Sequence, residues 1–372
     1  MLERRLLTAD YVYNGLGRPR ANGAVVLQNS DEGERVVLID SLEVCRQNFP
    51  DASQESAGFA VSIPVVNAHT HLDLSDMPYR PGSYADFIQA VAQYRQQRGL
   101  IAAKRGVAAL AAAGVQVVGD IVAREEVMRW LLISANLSGV AYWEVNAPDP
   151  SEAAQVFDDT VAKLREFRSL ERPGGLRVGL APHTPHTVSA DLLKKLCALA
   201  KHNRVPLQIH VAESSEETAL HLTGYSPLSH PYWQPSGLRP VQYLKLLGVL
   251  EASPTLVHMI EVTEEDVRDV QKAGCAVVHC ARSSAALGCA RFPWQLYARY
   301  GVSVGLGTDS LGSAPDLSVA REVAAVLKMQ RVRADHGELV WAATKGGYRA
   351  LGLNPPRFLR GNTLEHVTSW DV

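Results

Sequence analysis

The chain has 372 residues, enough for one large α/β barrel and a small second domain. Its 37 basic and 39 acidic side chains give a net charge of −2, which excludes a general electrostatic attraction to nucleic acid or anionic membranes and favours a small ligand. Five cysteines without CxxC spacing predict buried thiols, and the lack of a signal peptide or membrane-spanning stretch predicts a cytoplasmic protein.

The first sixty residues predict part of a small β-domain. Short β-prone runs, among them Ala24 to Leu27 and Arg35 to Ile39, are separated by turn signals rich in glycine, asparagine and proline. The tail over residues 354–372 has short β-prone pieces of the same kind. We therefore expect residues 1–60 and 354–372 to form one β-sandwich-like satellite domain, to which both termini contribute.

From residue 61 the pattern changes to apolar strands that alternate with amphipathic helices, as in parallel βαβ units. Eight such strands predict a (β/α)8 TIM barrel over residues 61–353, and the carboxyl ends of its strands would share one face. The strands are expected to end near His69, Ile121, Val145, His183, His210, Ile260, His279 and Asp309. Helices are expected over residues 84–113, 152–168, 190–202, 315–332 and 338–350.

Histidines and an aspartate stand where several of these strands end. His69 and His71 are two residues apart, so on a strand their imidazoles point to the same side. Three further strands end in His210, His258 and Asp309. Imidazole and carboxylate are ligands for zinc, iron or manganese, and three or four of them with a water make a hydrolytic centre. The pattern therefore predicts a metal site at the carboxyl face of the barrel.

Five short motifs follow one another in the order of the predicted strands. They are Val66-Asn67-Ala68-His69-Thr70-His71-Leu72-Asp73, Ala181-Pro182-His183-Thr184, His210-Val211-Ala212-Glu213, Leu256-Val257-His258, and Gly305-Leu306-Gly307-Thr308-Asp309-Ser310. This ordered set resembles the amidohydrolase superfamily, in the branch that holds cytosine, guanine, S-adenosylhomocysteine and aminofutalosine deaminases and the triazine chlorohydrolases. The resemblance spans residues 61–353.

The resemblance implies a role for each residue at a strand end. One divalent metal ion per chain, zinc or iron, would be held by His69, His71, His210 and Asp309. Glu213 would shuttle the proton and His258 would orient the attacking water, to which Asp309 can also hydrogen-bond. The resemblance further implies that His183 contacts the substrate, and that His279 lies beside the base or supports the metal ligands.

Two positions depart from patterns that are common in this superfamily. Binuclear members often carry a lysine at the end of the fourth strand, but residues 176–189 contain no lysine, which favours a single metal ion. His186 stands where similar proteins often have tyrosine. The remaining histidines have no such context, and we expect them in surface or packing positions: His202, His221, His230, His336 and His366.

Two interpretations stay open for several other residues. Trp143 and Glu144, at the end of the third strand, could bind the substrate base or simply pack. Arg282 could bind a substrate anion or a surface carboxylate, and we favour the carboxylate. Residues 223–240 could fold over the site as a lid or form an ordinary surface excursion.

The resemblance implies a hydrolase of C–N bonds that deaminates an adenine-like ring. The preferred substrate is 6-aminodeoxyfutalosine of menaquinone synthesis. Deamination of adenosine, S-adenosylhomocysteine, guanine or cytosine, dechlorination of a triazine, and a catalytically silent ligand-binding barrel are the alternatives. Glu213 favours deamination, because departing ammonia needs a proton. The expected partner is an aminopurine nucleoside-like small molecule, with no nucleic acid and no membrane, and a homodimer is left open.

Overall fold

The computed structural model describes residues 3–30, 33–329, 335–364 and 367–372 of the chain. Within these ranges the strands are β1 (Arg4–Tyr13), β2 (Arg20–Ser30), β3 (Gly33–Ser41), β4 (Ser53–Ser56), β5 (Ala60–Ser62), β6 (Val66–Thr70), β7 (Val117–Val122), β8 (Ser138–Val145), β9 (Leu176–Pro182), β10 (Gln208–Val211), β11 (Thr255–His258), β12 (Ala276–His279), β13 (Val304–Leu306) and β14 (Thr368–Trp370). The α-helices are α1 (Leu42–Asn48), α2 (Tyr84–Tyr94), α3 (Leu100–Ala112), α4 (Glu125–Ser134), α5 (Ala153–Arg168), α6 (Ala190–Asn203), α7 (Ser215–Thr223), α8 (Pro240–Leu246), α9 (Glu264–Lys272), α10 (Ala281–Ala286), α11 (Trp294–Tyr300), α12 (Val319–Met329), α13 (His336–Trp341) and α14 (Gly347–Ala350).

Strands from both ends of the chain form one six-stranded sheet. β14, β5, β1, β2 and β3 follow one another across it, and the short β4 also pairs with β1. β1 is antiparallel to β2 and parallel to β5, and the C-terminal β14 is antiparallel to β5. The predicted return of the tail to the N-terminal strands is therefore confirmed.

This terminal sheet is covered on both faces. Successive side chains of a strand point to opposite sides, and β2 shows the result. Val26 packs with Cys45 of α1, whereas Val25 and Leu27 belong to the main hydrophobic core shared with the barrel. The sheet therefore lies between a short helix and the barrel.

Eight parallel strands form the predicted (β/α)8 barrel in two four-stranded segments. One segment runs from β6 to β9 and the other from β10 to β13. Parallel bridges from Leu180 to Leu207 and from Thr70 to Asp309 join the two segments on both sides and close the barrel. Its strands end within three residues of the predicted positions. The carboxyl ends of these strands therefore meet on one face.

The predicted helix over residues 84–113 is interrupted. α2 ends at Tyr94 and α3 begins at Leu100, and the backbone N–H of Gly99 between them donates to the carbonyl of Asp73 at 3.4 Å. The break brings Arg98 to the face of the barrel where the strands end.

We propose that the chain divides into a satellite domain of residues 1–60 and 354–372 and a barrel domain of residues 61–353. The terminal sheet includes Val61 and Ser62 of β5, so this strand crosses the first boundary by two residues. Among the described residues, no helix has the length and apolar character needed to cross a bilayer.

Candidate metal-dependent active site

Four potential metal ligands meet where β6, β10 and β13 end. Nε2 of His71 lies 3.3 Å from Nε2 of His210. Oδ1 of Asp309 lies 3.6 Å from Nε2 of His69 and 3.5 Å from Nε2 of His71. All four side chains are buried. The structure thus brings together around one point the residues singled out from the sequence as metal ligands.

In two of these imidazoles, a hydrogen bond to the protein orients the ring through Nδ1, the nitrogen that faces away from the shared point. Nδ1 of His69 lies 2.7 Å from Oε1 of Gln208, whose amide donates to a backbone carbonyl. Nδ1 of His210 lies 2.9 Å from the carbonyl oxygen of His183. Because both partners are acceptors, each Nδ1 carries the proton, and the Nε2 lone pairs are left to face the shared point.

The residues present fit a metal ion. Nε2 of His69 is buried without a hydrogen-bond partner, and burial lowers the pKa of His71 to about 3, so this ring stays neutral. Oδ2 of Asp309 accepts hydrogen bonds from Ser283 and Ser313 at 2.8 Å each, which leaves Oδ1 free to ligate. Buried lone pairs in this number need a common cation, and three imidazoles with one carboxylate suit zinc or iron.

Unusual backbone conformations aim the side chains into the site. His258 has φ 73°, Asp309 φ 60° and Ala212, next to Glu213, φ 53°. This left-handed region is uncommon for residues with a Cβ and costs about 1–3 kcal/mol each, so the surrounding fold must impose it. Gly307 leaves room for His69, because a Cβ at position 307 would clash with Cβ of His69 at only 2.8 Å.

Glu213 and His258 lie beside the ligands. Oε2 of Glu213 is 3.4 Å from Nε2 of His258, and both residues line a small cavity with Asp309. Burial and then the charge of Asp309 raise the pKa of Glu213 well above its usual value. The hydroxyl of Ser214 caps α7 by accepting from the backbone N–H of Glu217 at 3.2 Å. The Glu213 carboxylate is therefore not needed as a helix cap.

Two residues that sequence reasoning did not connect with the site hold Glu213 in place. Tyr84, at the start of α2, lines the small cavity beside Glu213, where its hydroxyl can donate to the Glu213 carboxylate and lower its pKa. Oε2 of Glu217 accepts from the backbone N–H of Glu213 at 2.8 Å. Glu217 was visible only as part of a capping pattern, and nothing in the sequence marks Tyr84, because its contact joins segments more than a hundred residues apart.

A larger cavity of about 500 Å³ opens beside the ligands. It shares Glu144 and His183 with the small cavity of about 60 Å³ that contains the metal ligands. Trp143 also lies in its wall, so three of the four candidates for substrate binding, Trp143, Glu144 and His183, lie where a ligand could touch them. The cationic residues of the wall are Arg95, Arg98, Arg124 and Lys163.

Arg98 forms a buried ion-pair network that the sequence did not reveal. Nε of Arg98 donates to Oδ1 of Asp73 at 3.0 Å, and its Nη1 donates to Oε2 of Glu144 at 2.9 Å. Burial alone would raise the pKa of Glu144, but Arg98 and His183 lower it to about 2, so this carboxylate stays ionised. Arg98 was missed because its place depends on the break between α2 and α3.

We expect Arg98→Met to destabilise the protein by about 3–5 kcal/mol, because it leaves the buried carboxylates of Asp73 and Glu144 without their cation. Urea denaturation would measure this as a lower midpoint. Arg95→Met in the same segment is the control, since Arg95 is exposed and its loss should change stability by less than about 0.5 kcal/mol. Equal effects of the two substitutions would contradict the proposed network.

Arg282 is bound by carboxylates and carbonyls of the protein. Its Nε donates to Oε1 of Glu322 at 2.5 Å, its Nη1 to Oδ1 of Asp316 at 2.9 Å, and its Nη2 to the carbonyls of Asp316 and Ser318. Of the two interpretations of Arg282, these contacts support the carboxylate partner that the sequence favoured and count against a substrate anion, because its donors join α10 to the start of α12. The main carboxylate partner, Glu322, is buried rather than on the surface.

His279 stands behind the site. Its ring stacks on Phe292 with 4.1 Å between the ring centres, and it is not among the described residues that line either cavity. Of its two predicted positions, beside the base or in support of the metal ligands, this favours the second.

The segment over residues 223–240 docks on the surface near the site. Nε1 of Trp233 donates to the carbonyl of Leu220 at 3.1 Å, and Nε2 of His230 lies 2.8 Å from the carbonyl oxygen of His186. None of the described residues that line the two cavities belongs to this segment, which favours a surface excursion over a lid.

The histidines expected in surface or packing positions differ in exposure. His202 and His336 are exposed, whereas His221 is fully buried. His366 lies outside the described residues.

Comparison with known proteins relates the chain to deaminases. Residues 61–355 match the model of the family described as "Amidohydrolase family". The chain is 42% identical to the aminodeoxyfutalosine deaminase of Deinococcus radiodurans, over 99% of this chain and 90% of that protein. Its fold is similar to that of Helicobacter pylori aminofutalosine deaminase in complex with methylthio-coformycin, with TM-score 0.75 and 20% identity over 96% of this chain and 90% of that one. An adenosine deaminase from Xanthomonas campestris with bound zinc has TM-score 0.67 and 22% identity, over 96% and 82% of the two chains.

Proposed function

The chain belongs to the amidohydrolase family and is a hydrolytic deaminase acting on C–N bonds, and we propose that its substrate is aminodeoxyfutalosine, an intermediate of menaquinone synthesis. The observation that carries this proposal is the two-part site: a small cavity at the metal ligands joins a larger cavity with cationic walls. Such a site suits a substrate with an adenine ring at one end and a benzoate carboxylate at the other. The name of the Deinococcus radiodurans relative supports the same choice. A cytoplasmic location and a homodimer remain predictions.

The catalytic centre of this proposal would hold one divalent ion, zinc or iron. The residues that would bind it are His69, His71 and His210, through Nε2, and Asp309, through Oδ1. When bound, such an ion lowers the pKa of a coordinated water to near neutrality and so supplies the nucleophile. The described residues 176–189 offer no lysine as a bridging ligand for a second ion at this centre.

Glu213 moves the proton. It is not one of the metal ligands, and its carboxylate lies 3.4 Å from Nε2 of His258. Glu213 can therefore take a proton from the attacking water, while His258 orients the water and the carboxylate. Burial favours the protonated form of Glu213. Its raised pKa makes the ionised carboxylate a stronger base toward the water, and the proton that it takes up is passed to the ring nitrogen beside the amino-bearing carbon. The second proton of the water, still on the new hydroxyl group of the ring carbon, then moves to the amine, so that ammonia leaves and a carbonyl remains.

Glu144 and His183 hold the base at the junction of the two cavities. Nε2 of His183 lies 3.9 Å from Oε1 of Glu144, and both side chains line the small and the large cavity. Arg98 keeps Glu144 ionised and in place, so the base meets a fixed acceptor. Trp143 supplies an aromatic face further along the wall.

Arg95 and Arg124 replace Arg282 as partners for the benzoate carboxylate. Both line the larger cavity. Arg98 and Lys163, the other cations of that wall, are already paired with carboxylates, Arg98 with Asp73 and Glu144 and Lys163 with Glu125. Within the described parts of the chain, the guanidinium of Arg124 hydrogen-bonds to a backbone carbonyl, that of Arg95, and to no carboxylate. These two arginines are therefore the cations best able to accept a substrate carboxylate.

We expect Arg95→Gln to lower kcat/KM for aminodeoxyfutalosine by about 10-fold, because a hydrogen bond between charged groups is worth about 1.5 kcal/mol at its weaker end. Adenosine lacks the benzoate and should show no comparable loss. Steady-state ammonia release would measure both ratios. Arg165→Gln is the matched control, since Arg165 is exposed on α5 and does not line the larger cavity. Equal losses for the two substrates would remove Arg95 from substrate recognition.

The substrate assignment is tested by one screen of the metal-loaded protein. Ammonia release is followed with aminodeoxyfutalosine, adenosine, S-adenosylhomocysteine, guanine and cytosine. The proposal requires the largest kcat/KM for aminodeoxyfutalosine. Faster turnover of any other compound would overturn the substrate while leaving the deaminase chemistry in place.

A further inference from the structure

A second group of buried metal-ligating side chains lies outside the catalytic centre. It consists of His186, in the loop after β9, and Glu217 and His221 of α7. One ligand atom from each of the three residues lies within 4.8 Å of the other two, and all three residues are buried. Glu217 and His221 are four residues apart, so one helix turn places them on the same face.

The polar atoms of this group lack partners within the protein. Both ring nitrogens of His221 and Oε1 of Glu217 are buried without a hydrogen bond among the described residues. Their residues are 0% and 2% exposed, so solvent does not satisfy these atoms either. Leaving a buried polar atom unsatisfied costs about 1–3 kcal/mol, and three such atoms in one place indicate a missing partner.

We propose that His186, Glu217 and His221 bind a second divalent transition-metal ion, of which zinc is the best match. Two imidazoles and one carboxylate are a ligand set for zinc, with water in the fourth position. The sequence predicted a single ion per chain, and this proposal departs from that prediction by raising the expected content to two.

Hydrogen bonds already hold the non-ligating atoms of two of the three residues, His186 and Glu217. Nδ1 of His186 lies 3.2 Å from the hydroxyl oxygen of Thr184, so its other nitrogen is left to ligate. Oε2 of Glu217 accepts from the backbone N–H of Glu213, so Oε1 is left to ligate. Outer hydrogen bonds of this kind orient metal ligands in advance.

Small side-chain rotations complete the geometry. Ligand atoms around a tetrahedral zinc ion are about 3.4 Å apart when each bond is about 2.1 Å. The three atoms must therefore approach one another by little more than 1 Å from their limit of 4.8 Å. The catalytic histidines His69, His71 and His210 also lie within 4.8 Å of one another, and there Nε2 of His71 is already 3.3 Å from Nε2 of His210.

The second ion would join elements that shape the active site. α7 begins directly after Glu213, and the loop that carries His186 starts at His183, beside the base. The backbone carbonyl of His221 also accepts from the N–H groups of Ser236 and Gly237, in the segment between α7 and α8. An ion at this place would link these parts and hold the backbone of Glu213 through Glu217. Its role is structural, since none of the three side chains lines the catalytic cavity among the described residues.

Zinc content of the full-length protein tests the proposal. The protein is loaded with zinc alone, freed of loosely bound ions, and analysed by elemental mass spectrometry. We expect about two zinc ions per chain in the wild type and about one in His221→Gln. His186→Gln is the second variant, because a substitution in a loop should disturb folding less than one in a helix. His202→Gln, an exposed histidine at the end of α6, is the matched control and should keep both ions.

A second readout isolates the new site from the catalytic one. Asp309→Ala should lose the catalytic ion and keep the other, and addition of zinc to its metal-free form should raise Tm. The same addition should leave Tm unchanged when His221→Gln is combined with Asp309→Ala. A single ion in the wild type would overturn the proposal, and so would two ions that persist in both His186→Gln and His221→Gln. Neither readout depends on which substrate the enzyme uses.

Discussion

Asp309→Ala should abolish ammonia release and remove the catalytic ion while leaving most of the barrel folded. Oδ1 of Asp309 lies within 3.6 Å of two ligand imidazoles and is the only carboxylate oxygen proposed for this ion. The attacking water needs that ion to lose its proton near neutral pH, so turnover should fall to background. Metal content and ammonia release, measured on the same preparation, are the required data.

Two results would contradict this account of Asp309. The first is near-normal turnover by metal-loaded Asp309→Ala protein. The second is loss of two ions on this one substitution, which would indicate a binuclear centre rather than one ion at His69, His71, His210 and Asp309. Circular dichroism serves as the control for folding, because Asp309 also holds the hydroxyls of Ser283 and Ser313.

Glu213→Gln should separate the chemistry from metal binding. Glutamine keeps the shape of the side chain and can still accept the hydrogen bond from Tyr84, but it cannot take up a proton. We therefore expect kcat to fall by about 10² to 10⁴, the range for a general acid or base. Metal content should stay at the wild-type level, because Glu213 is not a ligand.

Glu216→Gln is the matched control for this substitution. It makes the same chemical change in the first turn of α7, at a residue that does not line the small cavity. Its kcat should equal that of the wild type. If metal-loaded Glu213→Gln protein retained a near-normal rate, Glu213 would have no part in the proton transfer.

The barrel and the meeting of its four candidate ligands could be predicted because their signals are local and repeated. Each candidate ligand follows a short apolar strand, and parallel strands of a barrel must end on one face. The two-residue spacing of His69 and His71 and the order of the motifs gave the further signals. The capping pattern Ser214-Ser215-Glu216-Glu217 can also be read in the sequence, and Ser214 does cap α7.

The parts that could not be predicted depend on contacts between distant segments. Arg98 reaches Asp73 and Glu144 only because the chain breaks between α2 and α3, and the Ala-rich pattern gave no sign of that break. Arg282 was considered for the substrate because its partner Glu322 lies 40 residues further on. The pair Glu217 and His221 did carry a signal, their four-residue spacing on one helix, but His186 joins them only through the fold of the loop after β9.

The central claim is that this enzyme replaces the amino group of aminodeoxyfutalosine by oxygen from water. The most direct test is turnover in water enriched in heavy oxygen, with the product analysed by mass spectrometry and ammonia measured in parallel. The account predicts one labelled oxygen on the ring carbon that carried the amine and one ammonia released for each product molecule. Unlabelled product, or conversion without ammonia, would contradict it.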